Sequence, residues 1–207
     1  MLDIYHLRVL LYSRLEINFG EGCPVRQLDF LAAIAACVLV IAFALTLMYQ
    51  DVPMNIATWG LWTILNGVNF IAMFRGGNKR PWLAGGYTLG ALLVTLMVLR
   101  NGTWSWGTIE TVAFVGSLIA LYVSFKVSER YAIIIAISAM LIAAIPTVHE
   151  GWVAPALASW WLWGGCAFCN LLSTIAAKGW TIKDRLYPVT GTAFNSMMFL
   201  LVIQPAF

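Results

Sequence analysis

The chain has 207 residues, is 61% hydrophobic and only 10% charged, and its mean hydropathy is +0.85. Apolar material in that amount reads as membrane spans, each needing about 20 residues, and excludes a water-soluble globular domain. The formal net charge of +3 gives no nucleic-acid signal, because the cations sit in short loops with no basic face and no zinc-finger spacing.

Residues 1–27 open the chain with Leu7, Leu10, Leu11 and Leu15 at helical spacing, while Arg8, Arg14 and Glu16 point in other directions. That pattern predicts an amphipathic segment lying on the cytoplasmic membrane surface, ended by Gly20, Gly22 and Pro24. Asp3, His6 and Arg8 interrupt any uniform apolar region, so the segment does not read as a signal peptide.

Seven apolar runs follow, at 28–49, 54–74, 81–99, 104–125, 131–148, 153–176 and 187–206. Backbone inside a bilayer must satisfy its own hydrogen bonds, and runs of this length do so as helices. The expected fold is therefore an all-α integral membrane protein of seven transmembrane helices. Spans one to three form a first triple-helix repeat (28–99), residues 100–130 a linker with the fourth helix, and 131–207 a second repeat. That is a 3+1+3 arrangement of parallel triplets.

The repeat is suggested by two matching stretches. Thr58–Asn69 reads TWGLWTILNGVN and Ser159–Asn170 reads SWWLWGGCAFCN, each with an Asn seven residues beyond its second Trp. At about 100° per residue, Trp59, Trp62, Asn66 and Asn69 share one helical stripe. Trp160, Trp163 and Asn170 share the equivalent stripe of the second copy, with Ala167 in the place of Asn66. Trp offers a large rigid face with one N–H donor, and Asn offers donors and an acceptor. Together they suit a small polar solute held away from lipid. Asn195 adds a further carboxamide on the last run. Each of these Asn side chains can equally serve as interhelical glue.

Pro146 interrupts the fifth run and frees a carbonyl there, and Glu150 beside His149 completes a candidate gate at the outer mouth. Glu110 is the acidic residue read as lying within a span, shallow enough to be solvated, and no Lys, Arg or His occupies the middle of any run. Passive facilitation is therefore expected rather than an ion-driven pump. Cys166 and Cys169 lie beside Gly164 and Gly165 and read as small-residue helix packing. The motifs imply no cofactor and no metal, the last run has no lysine for a retinal Schiff base, and no phosphate-cradling loop is present.

Alternate loops hold Arg8, Arg14, Arg26, Arg75, Lys79, Arg80, Lys126, Arg130, Lys178, Lys183 and Arg185, against Arg100 alone on the other side. That bias places the N-terminus in the cytoplasm and the C-terminus outside. Trp82, Trp104, Trp106, Trp152 and Trp180 fall at run ends, as an aromatic belt requires.

With Pro146-Thr147 in the fifth run and Trp/Asn stripes in the second and sixth, the pattern resembles the PQ-loop and SWEET clan of small carriers. Trp59-Gly-Leu-Trp62-Thr-Ile-Leu-Asn66 is also similar to the Trp-x-x-Trp-x-x-x-Asn motif of the PnuC vitamin transporters. The resemblance implies passage of a sugar, a nucleoside or a vitamin such as nicotinamide riboside. It also implies a bacterial inner membrane, with membrane lipids and the solute as partners. Two other readings stay open: a receptor or assembly subunit that uses the stripe to pack a partner helix, and a membrane-embedded enzyme. His149, Glu150 and Asp51 are too sparse to favour the enzyme.

Overall fold

The computed structural model describes residues 24–50, 54–78, 81–100, 102–153, 159–177 and 181–203. Among them lie eight helices: α1 (Pro24–Tyr49), α2 (Ile56–Arg75), α3 (Trp82–Val98), α4 (Thr108–Lys126), α5 (Glu129–Ala143), α6 (Ile145–Val153), α7 (Trp160–Ala176) and α8 (Ile182–Val202). The amphipathic segment expected over 1–27 lies almost wholly outside the described residues, as does Trp180.

Among the described residues, three helices are long and apolar enough to cross a membrane: Gln27–Tyr49, Ile56–Arg75 and Thr108–Lys126. The expectation of seven spans in a 3+1+3 repeat is thereby overturned, and the reasons are local. The run 131–148 is not one helix, since α5 stops at Ala143 and α6 starts at Ile145. Within the run 153–176, α7 is 17 residues long, and α3 is likewise 17 residues long. The last run does not begin at Tyr187-Pro188. Thr181 caps α8 by accepting from the Asp184 amide, so Lys183, Asp184 and Arg185 enter its first turn and Pro188 falls inside the helix. Apolar runs in the sequence merged loops with helices and hid polar helix starts.

The bundle is built on two close helix pairs, α1 with α3 and α7 with α8, brought together by α1 against α7. A side chain at Gly86 would collide with the backbone carbonyl of Ala33, so α3 and α1 touch backbone to backbone. On the other side α2 packs on α5, and α4 lies outermost against α5. Only 22% of the most apolar window of α4 is buried within the protein. Its Val115, Leu118, Ile119, Tyr122 and Phe125 are exposed and offer a surface to lipid.

The two ends of the bundle differ in charge. Arg75, Lys126, Arg130, Lys183 and Arg185 gather where α2 and α4 end and α5 and α8 begin. Arg75 donates to the Ser124 carbonyl at 3.3 Å and stacks on Phe125, while Lys183 lies 3.9 Å from Glu129. Gly77, at φ 79°, lets the chain leave α2 by a left-handed turn that other residues resist. The opposite end carries Arg100.

Candidate functional site

A cavity of about 920 Å³ enters the bundle from that opposite end. Volumes of this size suit a small-molecule ligand. Asn55, Thr103, Ser105, Glu110, Thr147 and His149 border its mouth, Trp59, Trp62, Trp163 and Asn195 line its middle, and Asn66, Tyr87, Asn170 and Tyr187 line its floor.

The mouth is rigid on one side. Asn55 caps α2 by accepting from the Ala57 amide at 3.0 Å. The same side chain accepts from the Ser105 amide at 3.1 Å and donates to the Ser105 carbonyl at 3.0 Å. Backbone bonds from Ile56 to Thr103 and from Thr103 to Met54 complete a short parallel bridge between the loops before α2 and after α3. Glu110, in the first turn of α4, accepts from the Gly107 amide at 2.9 Å as a helix cap. On the other side stands α6 with Pro146. Glu150 lies in α6, and its side chain falls outside the described residues.

The walls are aromatic. Trp163 meets Phe194 edge to face, with ring centroids 6.0 Å apart, and Trp59 tilts against Phe43 at 6.4 Å. Trp160 does not join them. It lies at the outer end of α7, is 60% exposed, and takes the place of an interfacial anchor.

The floor is a pair of crossed Asn–Tyr bonds. Tyr187 on α8 donates to Asn66 Oδ1 on α2 at 2.6 Å, and Asn170 on α7 donates to Tyr87 Oη on α3 at 2.8 Å. Asn66, Asn69, Asn170 and Asn195 each also donate to a carbonyl four residues earlier, those of Trp62, Leu65, Cys166 and Gly191. Most helix hydroxyls are satisfied in the same way: Thr46, Thr63, Thr88, Thr95, Thr174 and Thr192 all bond back to their own helices. Spare hydrogen-bonding capacity is left on Trp163 Nε1 and Asn170 Oδ1, both buried without a partner among the described residues. Asn170 Oδ1 lies against Gly191, where any added Cβ would collide with it.

Asn69 is brought to a different place from the other predicted residues. It is fully buried one turn beyond Asn66, outside the cavity lining, and its Oδ1 has no partner among the described residues. The shared polar space expected between Asn69 and Asn170 is thus formed by Asn66, Asn170 and Asn195 instead. Tyr87 and Tyr187, which set the floor, were not singled out from the sequence as a pair. Their signal was an aromatic hydroxyl inside each of two apolar runs.

A third missed residue is Asp29. It lies in α1 with 0% exposure, inside the run beginning at residue 28, yet Glu110 was read as the acid within a span. Asp29 accepts from the backbone amide of Trp82, the first residue of α3, at 3.0 Å. Ser173 on α7, itself buried, donates to its other oxygen.

No family model, curated protein or solved structure matches this chain. The class rests on the fold itself: a membrane protein with several apolar spanning helices.

Proposed function

We propose that the protein is a transporter that passes a small polar solute across a membrane through the Trp/Asn-lined cavity. The observation that carries this reading is a concave space lined by three indoles and by the carboxamides of Asn66, Asn170 and Asn195. Flat rings bury apolar area and keep one N–H each, and carboxamides supply both hydrogen-bonding senses. A sugar, nucleoside or vitamin ring such as that of nicotinamide riboside fits this lining. Trp163 Nε1 and Asn170 Oδ1 are closed to the cavity as it stands, so they pair with a solute only where the groups packed over them shift.

The charge difference between the ends favours a cytoplasmic N-terminus, because α1 starts at the cationic end and α8 finishes at the other. The mouth then faces outward, in keeping with an inner-membrane carrier, and the solute meets the indoles before the floor. Asn69, tied to its own helix away from the cavity, supports helix packing as the role of that one side chain.

Thermal-shift screening of the full chain in detergent against sugars, nucleosides and vitamins tests the proposal. A compound that raises the melting temperature of the wild type, but not of Asn170→Ala or Trp163→Ala, supports it. Equal shifts in wild type and both variants overturn the assignment of the cavity.

A further inference from the structure

The cavity stops at the Asn–Tyr floor, and what closes the bundle beyond it is Asp29. Ser173 lies three residues past Asn170 on α7, about 4.5 Å of helical rise toward the cationic end. Trp82 lies five residues before Tyr87 on α3, about 7.5 Å in the same direction. Asp29 joins both, so one carboxylate ties α1 to α3 and α7 one layer below the floor. Around it Ala32, Ala33, Leu83, Ala84, Cys169 and Ala176 are buried, leaving no continuation of the cavity among the described residues.

The two bonds differ in kind. The Trp82 amide sits at a helix start, where a carboxylate neutralises an orphan donor and complements the helix dipole. It belongs to the tightly packed α1–α3 pair, held backbone to backbone at Gly86. The Ser173 bond instead crosses between that pair and the α7–α8 pair. Among the described contacts it is a bond that must part if the two pairs separate at this end.

We propose that the Asp29–Ser173 hydrogen bond is the latch of the closed end, opening whenever a solute leaves the cavity toward the cationic side. The inference rests on the reading of the cavity as a solute path, but its test needs no solute. Cys169, 2% exposed and one turn above Ser173 on α7, reports the opening. The full chain, with Cys23, Cys37 and Cys166 replaced by alanine, is placed in lipid nanodiscs and treated with a membrane-impermeant cationic methanethiosulfonate.

Cys169 of this protein is expected to react slowly, and Ser173→Ala to speed the reaction at least about tenfold by removing a charge-assisted bond. Ser173→Thr and Ser173→Val, equal in shape and different only in the hydroxyl, form the second comparison. Thr keeps the slow rate and Val matches Ala. Rates that are alike for Thr and Val overturn the latch, as does a fast rate in the parent protein. If the thermal-shift screen fails while Thr and Val still differ, the solute assignment falls and the latch stands. The reverse pattern removes the latch alone.

Discussion

Tyr187 and Asn66, 121 positions apart in the chain, are joined by a 2.6 Å hydrogen bond in which the phenol donates to the carboxamide oxygen. Asn66 Nδ2 is already committed to the Trp62 carbonyl, so the side chain has one orientation that satisfies both ends. Tyr187→Phe removes the donor and leaves a buried acceptor unpaired. The expected loss is about 1 kcal/mol, in line with interhelical bonds in membranes, read as a lower midpoint in thermal or SDS unfolding. A variant as stable as wild type would show that water replaces the phenol at the floor.

Gly191 is where α8 makes room for Asn170. A methyl group there collides with Asn170 Oδ1, and the side chain has little freedom to retreat because both of its amide hydrogens are bonded. Gly191→Ala is expected to destabilise by about 1–3 kcal/mol, typical of overpacking. It should also break the Asn170–Tyr87 bond. Combining it with Tyr87→Phe in a double-mutant cycle should give strongly non-additive losses.

Trp163 supplies a wall and an N–H that meets no partner among the described residues. Trp163→Phe keeps an aromatic ring near Phe194 while removing the orphan donor. Its stability should change by less than about 1 kcal/mol. Any thermal shift produced by a solute should still weaken. Retention of the full shift would assign the indole to packing.

Asn55 holds the mouth with three hydrogen bonds. Asn55→Ala loses a helix cap and both ties to Ser105, at an expected cost of about 1–2 kcal/mol. The loss should appear locally, as faster hydrogen exchange at the Ala57 and Ser105 amides with little change at the floor.

The outer face of α4 tests the membrane assignment. Ile119 is 48% exposed and, in an aqueous protein, Ile119→Lys would shift stability by no more than about 0.5 kcal/mol. At the centre of a span the same change costs about 3 kcal/mol of insertion free energy. A clear drop in the membrane-inserted fraction, measured with a glycosylation reporter, is the expected result.

What the sequence disclosed was direction more than depth. Helical angle alone placed Trp59, Trp62 and Asn66 on one wall, and all three line the cavity. Asn69 shares the stripe but lies one turn deeper, and the depth of the floor is set by Tyr187 from a distant part of the chain. Asp29 was hidden because its partners include a backbone amide at a helix start and a serine 144 positions away. The helix limits failed for a simpler reason. A hydropathy run registers apolar side chains whether or not the backbone continues as helix, so the break at Ala144 and the polar opening of α8 were absorbed into neighbouring runs.

The threonines that bond back to their own helices have a mechanical consequence. The helices that carry them hold much of their polarity internally, so sliding or tilting one past another leaves those bonds intact. Resistance to such motion is then concentrated in a few cross-links, which makes the bundle a set of stiff rods on discrete pins and lets single side chains set how often it swivels.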